Sequence, residues 1–336
     1  IIVENNTATK IKLDNGEILS GKYIINSGNV WNLYNKLLKD DISEEMKSWV
    51  NSLEPSYPSV VIFALVKKEV IPEGTLPIEM LIADKNKLDE GEVTVYILSI
   101  DDKTLCEEEY HTIMAIGPSF KKWPKGFKNK YRNEEYRKMK EIEKDRMLNV
   151  LENRFPGFKD AVCHVEISTP TTLNRYILKE GGSVAGPKQK LGQHMLKRLK
   201  TKSDINNLFN CGESTVMGTG TPTVTISGIS AANLILRELG MEEFEYKEGM
   251  KNYVNIVKKP FQSSQIKIGK NEKEDSLAKL ALECEFCERP LCEKKCPYGV
   301  SIRDINRRVA VGNFIGAKNV LKSNNNNNPC LTCETR

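Results

Sequence analysis

One stretch determines how the larger part of this chain is expected to fold: LFNCGESTVMGTGTPTVTISGISAANLIL, residues 208–236. A short apolar run leads to Gly212 and the acidic Glu213. A loop rich in glycine and threonine follows, and small and apolar residues close the stretch. This order predicts a strand that ends at Gly212, a loop, and a helix that begins near Gly228.

The loop has the composition of a ligand-binding turn. Gly218 and Gly220 allow the backbone to approach a flat ligand closely, and the start of a helix directs N–H groups and a positive dipole end toward such a ligand. Ser230 and Ala231 are small, which suits packing against a ring system. A loop that only joins two elements is the alternative, and the residues alone leave both interpretations open.

The stretch resembles the C-terminal FAD motif of the phytoene desaturase, carotenoid isomerase and retinol saturase family. In that motif a strand, Gly-Asp, a Thr/Pro/Gly loop and a Ser-Gly-x-x-Ala-Ala helix follow one another. Glu213 stands where the family most often has Asp, and it keeps a negative charge for a ribityl or ribose hydroxyl. The resemblance implies these FAD-binding residues: Gly212, Glu213, Gly218, Gly220, Thr221, Pro222, Gly228, Ser230 and Ala231.

Two upstream segments resemble the same family. IKLDNGEILSGKYIINSGNVWNLYNKLL, residues 11–38, is similar to its β-hairpin and following strand. STPTTLNRYILKEGGSVAGPKQ, residues 168–189, is similar to its TP-x-T-x-x-R helix and G-x-x-x-G loop. The family also has a G-x-G-x-x-G fingerprint that receives the FAD pyrophosphate. This sequence lacks it, so the resemblance implies the C-terminal half of a flavoprotein whose first half is expected upstream.

Local patterns predict the other elements. Alternating residues around Asp14-Asn15-Gly16 predict a hairpin over 7–25, and residues 30–38 predict a helix. Helical spacing predicts a second helix over 133–154, which Phe155-Pro156-Gly157 ends. Three β-rich runs predict a sheet: residues 58–68, 92–101 and 110–117.

A cysteine-rich tail begins with CEFCERPLCEKKCPYGV, residues 284–300. The spacing is C-x2-C-x4-C-x3-C-P, and a further C-x2-C pair follows at Cys330 and Cys333. Iron–sulfur clusters need thiolates that converge from a compact loop, and a proline follows one of their ligands in bacterial ferredoxins. A zinc site built from two C-x2-C pairs is the alternative, but it leaves Cys292 and Cys296 unused.

The tail resembles the α-helical ferredoxin domain of the glutamate synthase small subunit and of dihydropyrimidine dehydrogenase. The shared features include the CP and the helix that contains Ile302 and Ile305. The resemblance implies two [4Fe–4S] clusters, the remaining ligands being expected after Arg336, and an NAD(P)H-linked flavin module further on. It implies these ligands, the first three for one cluster and the rest shared between the two: Cys284, Cys287, Cys292, Cys296, Cys330 and Cys333.

These resemblances predict the domain organisation. The C-terminal half of an α/β FAD-binding domain of the two-dinucleotide type occupies residues 1–35 and 195–240. An α+β substrate domain with a mixed sheet is inserted at residues 36–194. Residues 241–275 are a linker, and a small all-α iron–sulfur domain occupies residues 276–336.

Composition limits the partners. The chain has 39% hydrophobic and 28% charged residues and a net charge of +5, as in soluble globular proteins with a core. The basic run at 121–130 is followed at once by acidic residues, so we expect no nucleic-acid partner. No signal peptide or membrane span is visible, and the cysteines cluster in the tail, so we expect a reducing cytoplasm. The expected partners are an apolar substrate, a redox partner or the downstream module, and a peripheral membrane contact.

The predicted function is an FAD-dependent oxidoreductase that passes electrons between [4Fe–4S] clusters and FAD. Its substrate is an apolar polyene or isoprenoid that is desaturated, saturated or isomerised. Flavin carries this chemistry, so no catalytic side chain is assigned. Structural or surface roles are expected for His111, His164 and His194, and helix packing or a channel lining for Arg175 and Tyr176. The alternatives are an electron-transfer or scaffolding subunit without substrate chemistry and a zinc-stabilised binding module.

Overall fold

The computed structural model describes residues 1–38, 42–87, 91–126, 131–247, 271–285, 287 and 290–322. The chain divides into two compact units, Ile1–Phe261 and Gln262–Arg336. The division falls inside the segment predicted as a linker, residues 241–275.

The first unit begins with two small sheets. An antiparallel sheet contains β1 (Ile2–Glu4), β2 (Thr7–Lys12) and β3 (Ile18–Ser20), and Gly16 turns the hairpin at φ 87°. The predicted hairpin is thus confirmed. A parallel pair joins β4 (Ile24–Asn26) to β10 (Leu208–Asn210), with Leu208 opposite Ile24. This pair places the segments after residues 26 and 210 at the same sheet edge, because parallel strands end on the same side.

A five-stranded sheet occupies the middle of the unit. Its order is β6-β7-β8-β5-β9 and every pairing is antiparallel. The mixed sheet expected for residues 36–194 is therefore wrong: a β-rich run carries no signal for the direction of its partner, which the connections set. The strands are β5 (Ser59–Lys67), β6 (Ile78–Leu81), β7 (Val93–Tyr96), β8 (Tyr110–Pro118) and β9 (Val162–Ser168).

Helices cover one face of this sheet. α3 (Glu134–Arg154) begins at the cap Asn133, whose side chain accepts from the Tyr136 N–H at 2.8 Å, and it ends before Phe155, as predicted. Apolar side chains that alternate along the strands pack against it. The core includes Val60, Ile62, Val66, Val93, Val95, Ile113, Ala115, Met147, Leu151, Phe155 and Phe158.

The other helices between the hairpin and the glycine-rich loop are shorter. The helix predicted at 30–38 is confirmed as α1 (Val30–Asn32) with a π-helical turn, Leu33–Leu37. The sequence patterns did not predict α2 (Glu44–Ser52), which Ser43 caps by accepting from the Met46 N–H at 3.2 Å. Two short helices follow the core helix: α4 (Phe158–Ala161) and α5 (Pro170–Ile177).

The helix after the glycine-rich loop, α6, spans Thr221–Glu238. The predicted start near Gly228 is therefore wrong. Gly220 precedes the helix at φ 119°, and Pro222 lies in the first turn. Proline is favoured there because the N–H that it lacks has no intrahelical partner at a helix start.

The second unit is helical in its described residues. Its elements are α7 (Glu272–Leu282), α8 (Leu291–Lys294), α9 (Ile302–Ala310) and α10 (Phe314–Lys322). Its small core is built mainly from alanine, including Ala278, Ala281, Ala310 and Ala317. Across the described ranges of both units, no helix combines the length and the apolar composition that a membrane crossing requires.

Candidate functional site

Three loops meet at the carboxyl end of the parallel pair. They are the turn after β4 with the helix α1 that follows it (27–32), the segment after α5 (178–182) and the loop from β10 to α6 (211–220). Asn29 and Asn32 donate through Nδ2 to the Leu178 carbonyl at 2.9 and 2.8 Å, and the Val30 N–H donates to Ser214 Oγ at 3.1 Å. Buried side-chain amides and a hydroxyl thus join segments far apart in sequence.

Gly212 shapes the start of the third loop. Its φ is 89°, and a Cβ would lie 3.1 Å from the Ser27 carbonyl oxygen. Its N–H donates to Ser227 Oγ at 2.7 Å, and its carbonyl accepts from Thr215 Oγ1 at 2.7 Å. Both backbone groups of Gly212 are therefore used inside the protein, and the residue positions the acidic side chain that follows.

The Glu213 carboxylate forms an ion pair with the Lys179 ammonium. The side chains of Glu213 and Lys179 are only 11% and 17% exposed, so water screens the pair weakly. Lys179 was not identified from the sequence, because only the fold brings the segment after α5 to this loop. Lys179 thus positions the Glu213 carboxylate, which is expected from the sequence to accept a hydrogen bond from a cofactor hydroxyl.

Arg198 also contacts this loop. Like Lys179, it was not identified from the sequence. Its guanidinium is buried and donates to three carbonyls: Thr215 O at 2.8 Å, Pro187 O at 2.8 Å and Glu213 O at 2.5 Å. Burial lowers the pKa of Arg198, and the charge of Glu213 opposes that shift. The Arg198 side chain thus joins the loop carbonyls of Glu213 and Thr215 to the segment that contains Pro187.

The remaining loop residues lead to the start of α6. Gly218 is buried at φ 80°, where a Cβ would lie 2.3 Å from Gln189 Nε2. Gly220, Thr221 and Pro222 are exposed, and no described side chain caps the helix. The first N–H groups of a helix have no intrahelical partner, so this start can receive acceptor atoms of a ligand.

The structure does not bring Gly228, Ser230 and Ala231 to that start. They lie in the interior of α6, and Ser230 is roughly 13 Å along the axis from Thr221 at 1.5 Å per residue. Ser230 Oγ donates to the Ile226 carbonyl at 2.9 Å, and Ala231 is buried. Their contact with a cofactor stays a prediction.

The loop residues suit part of a flavin cofactor. The Glu213 carboxylate can accept a hydrogen bond from a cofactor hydroxyl, and the uncapped start of α6 can donate N–H groups to a polar ring edge. Glycines at positive φ keep side chains out of the space beside them. The G-x-G-x-x-G segment for the pyrophosphate is not in this sequence. The residues thus fit one end of FAD, and we assign no geometry to the other.

An apolar groove of about 500 Å³ lies on the open face of the five-stranded sheet. Phe63, Ile78 and Met80 on this face are 48%, 49% and 58% exposed. The sheet connects to the loops described above: Pro58 bridges to Ser183, and the Ser56 N–H donates to the Gly186 carbonyl at 3.0 Å. A Cβ on Gly186 would in turn lie 3.3 Å from Glu213 Cγ.

His111 and Arg175 make contacts inside the protein. Ser99 Oγ lies 2.8 Å from Nδ1 of the buried His111, and burial lowers the pKa of this imidazole. Arg175 donates to the Tyr131 hydroxyl at 3.1 Å and packs over the Tyr131 and Tyr176 rings. These contacts favour helix packing for Arg175.

Cys292 lies in α8, and Cys284, Cys287 and Cys296 lie in non-helical segments on either side of it. The Val300 N–H donates to Cys296 Sγ at 3.4 Å, and Arg303 Nη1 donates to the Cys287 carbonyl at 2.8 Å. Within the described ranges, no three His, Cys, Asp or Glu side chains are grouped to hold a metal ion. Cys330 and Cys333 lie outside the described residues, and the six-cysteine site stays a prediction.

Comparisons with known proteins find prolycopene isomerases and a phytoene desaturase that are similar to this chain. No family model matches. The chain is 29% identical to "Prolycopene isomerase 1, chloroplastic" of an Oncidium hybrid cultivar over 251 residues, which are 72% of this chain and 42% of that protein. It is 28% identical over 249 residues to the prolycopene isomerase of Daucus carota, covering 72% and 40%. It is 22% identical over 252 residues to the phytoene desaturase (neurosporene-forming) of Cereibacter sphaeroides, covering 70% and 47%.

The chain thus spans less than half the length of these relatives. Among solved structures, it is similar to an oxidoreductase from Methanosarcina mazei with 16% identity and a TM-score of 0.43, over 68% of this chain and 47% of that one. It is also similar to the FAD complex of glycerol-3-phosphate dehydrogenase from Bacillus halodurans, with 10% identity and a TM-score of 0.38, over 96% and 50%. At these TM-scores neither likeness supports an inference.

Proposed function

We propose that this chain is part of an FAD-dependent oxidoreductase that acts on an apolar polyene or isoprenoid. The carotenoid isomerases and the desaturase that it is similar to support this proposal. The observation that carries it is the apolar groove, which lies in the same compact unit as the glycine-rich loop. FAD, held by Gly212, Glu213, Gly218, Gly220 and the start of α6, would exchange electrons with a carbon–carbon bond.

The groove favours a catalytic protein over a relay. Ligand sites are usually clefts of roughly 300–1,000 Å³ with mostly apolar walls, and this groove has about 500 Å³. Phe63, Leu65, Tyr96 and Met114 line it. A subunit that only transfers electrons or acts as a scaffold needs no such cleft, so the groove favours substrate chemistry.

The tail extends the proposal to electron supply. Two [4Fe–4S] clusters would be held by six cysteines of this chain together with downstream residues: Cys284, Cys287, Cys292, Cys296, Cys330 and Cys333. Such clusters transfer single electrons. We further propose an NAD(P)H-linked flavin module or another redox partner as the electron source, a cytoplasmic location and a peripheral contact with a membrane that holds the apolar substrate. No nucleic-acid partner is proposed.

Flavin binding tests the first part of the proposal. The full-length protein, purified anaerobically, is expected to contain about one FAD per chain. Glu213→Gln should raise the dissociation constant for FAD at least tenfold, because a hydrogen bond to a charged group contributes about 1.5–3 kcal/mol. Equilibrium titration of the apoprotein with FAD measures this. Glu73→Gln, at an exposed position, is the matched control. A full-length protein without flavin contradicts the proposal, and unchanged affinity in Glu213→Gln removes Glu213 from the site.

Metal analysis tests the second part. The same preparation should contain about eight iron and eight acid-labile sulfide per chain, the sum of two cubane clusters. Cys296→Ser should lower the iron content, whereas Cys163→Ser, at an exposed thiol of the first unit, should not. If the preparation contains zinc and no sulfide, the cysteines form a structural metal site and the electron-relay proposal is wrong. The flavin proposal is not affected by that result.

A further inference from the structure

A second, smaller cavity lies at the end of the five-stranded sheet where β5 finishes and β8 begins. It has a volume of about 120 Å³, and its lining includes Lys68, Lys103 and His111. β5 has nine residues and so spans roughly 30 Å at about 3.4 Å per residue, and Pro58, next to its opposite end, bridges to Ser183. The cavity is therefore separate from the candidate cofactor site, and it is smaller than the clefts that hold large organic ligands.

The wall of this cavity contains a buried serine and a buried histidine. Ser99 and His111 are only 2% and 6% exposed, and Ser99 Oγ lies 2.8 Å from His111 Nδ1. Ser99 Oγ also accepts from the Thr112 N–H at 3.1 Å. A hydroxyl has one proton to donate, and among the described groups only Nδ1 is placed to receive that of Ser99. Nδ1 is thus an acceptor, and the proton of the neutral imidazole is on Nε2.

The His111 Nε2–H has no acceptor among the described protein atoms. Nδ1 is turned toward Ser99, and the ring lines the cavity, so Nε2 is the nitrogen available to the cavity. The neighbouring Cys106 thiol donates to the Tyr110 carbonyl at 3.2 Å. A largely buried donor of this kind requires an acceptor from water or from a ligand.

Two lysines give the surroundings of this donor a positive charge. Lys103 Nζ donates to the Ser99 carbonyl at 3.0 Å, which holds the ammonium beside the buried pair. Burial lowers the pKa of His111, and the charges of Lys103 and Lys68 lower it further. Two exposed carboxylates also line the cavity: Glu107 and Glu108. The charges that shift the pKa of the imidazole are nevertheless those of the lysines.

We propose that this cavity binds a small oxyanion, of which one oxygen accepts from His111 Nε2–H while Lys68 and Lys103 balance its negative charge. Phosphate, sulfate and a short carboxylate share this chemistry. The volume of about 120 Å³ equals that of roughly four water molecules at about 30 Å³ each, which suits a ligand of this size. A metal cation does not suit the cavity, because Nε2 carries a proton and two ammonium groups lie nearby. The inference goes beyond the proposed function, because it concerns a different site.

Equilibrium dialysis of the full-length protein against radiolabelled phosphate tests this inference. Excess FAD is present, so that a cofactor phosphate site does not contribute. We expect a saturable phosphate site for which sulfate and acetate compete. Lys68→Met and Lys103→Met should each raise the dissociation constant at least tenfold, because a hydrogen bond to a charged group contributes about 1.5–3 kcal/mol. Lys67→Met is the matched control, because Lys67 is exposed, adjacent in sequence and outside the lining, and it should keep the wild-type affinity.

Two substitutions of His111 test the role of Nε2. His111→Gln keeps an N–H donor on a side chain of similar reach and should retain most of the affinity, whereas His111→Leu should lose it. Melting curves establish which variants are folded, and the exposed lysine positions decide the result if the histidine variants are not. Absence of saturable phosphate binding overturns the inference. Binding that survives Lys68→Met and Lys103→Met, or that Lys67→Met weakens equally, also overturns it.

Discussion

Replacing Gly182 with alanine is expected to lower the melting temperature of the full-length protein by about 10 °C, whereas Gly181→Ala lowers it by only about 3 °C. These values correspond to roughly 3 and 1 kcal/mol at 2–4 °C per kcal/mol for a unit of this size. The two glycines are adjacent and both have a positive φ, 60° at Gly181 and 72° at Gly182. Backbone strain alone therefore predicts similar effects.

The difference arises from what a new methyl group would meet. A Cβ on Gly182 would lie 2.4 Å from the Cα, Cβ and carbonyl oxygen of Pro170. At Gly181 no described atom lies within 4 Å of that position. Alanine at 181 thus adds only the left-handed strain, about 1–2 kcal/mol for an L-residue, whereas alanine at 182 must also displace the backbone of α5.

The start of α5 cannot move without losing further contacts. Thr169, its buried cap, lies 2.9 Å from the Tyr136 hydroxyl, and Thr171 Oγ1 donates to the Pro124 carbonyl at 2.6 Å. Because protein interiors are close-packed, relief of one overlap creates strain elsewhere. The clash therefore destabilises the link between the sheet and the glycine-rich loop.

Thermal unfolding followed by circular dichroism, with soluble yield as a second readout, measures both variants beside the wild type. Equal shifts for Gly181→Ala and Gly182→Ala would show that backbone strain dominates and that Pro170 yields. A wild-type melting temperature for Gly182→Ala would contradict the packing of α5 against this loop.

The Gly181–Gly182 pair also shows what the sequence alone can establish. The motif predicts a loop after the Thr169 helix, and the structure has one. The sequence does not show which glycine is required, because that depends on Pro170, which the fold brings to Gly182. Periodicity likewise predicted the core helix at 133–154, since alternating and helical patterns are local, whereas the direction of strand pairing is not.

The candidate site divides in the same way. Gly212 and Glu213 could be identified because a strand, an acidic residue and glycines follow one another in the chain. Lys179 and Arg198 could not, since each reaches the loop from a distant segment. The sequence pattern predicts the start of α6 near Gly228, too late by two turns, whereas Pro222 lies in the first turn of the helix.

Arg198 gives the second large expected effect. Arg198→Leu should lower the melting temperature of the full-length protein by about 6–12 °C. The Thr215 carbonyl keeps the Gly218 N–H as a donor at 3.0 Å. The Pro187 and Glu213 carbonyls each cost roughly 1–3 kcal/mol when their Arg198 donor is removed, and removal of a buried cation returns part of that, so we expect a loss of about 3 kcal/mol. The carbonyls of Pro187, Glu213 and Thr215 are the groups left without this donor.

Arg198→Lys is expected to recover little of this loss. The guanidinium reaches three carbonyls from separate nitrogens in one plane, and an ammonium is a compact group without that fork. Lys200→Ala is the control, because this neighbouring side chain is 75% exposed and its ion pair with Asp204 has a long distance of 3.9 Å. Such exposed pairs contribute about 0–1 kcal/mol, so its melting temperature should change by only a few degrees.

The Arg198 variants also separate stability from cofactor binding. Without the guanidinium, the Glu213 carbonyl and the loop around it lose their anchor, so Arg198→Lys should weaken FAD binding at temperatures where it is still folded. Titration of the folded variant with FAD and a parallel melting curve measure both effects. Unchanged melting for Arg198→Leu would contradict the buried hydrogen bonds. A large melting shift with wild-type FAD affinity in Arg198→Lys would confine Arg198 to the fold and leave cofactor binding to Glu213 and the start of α6.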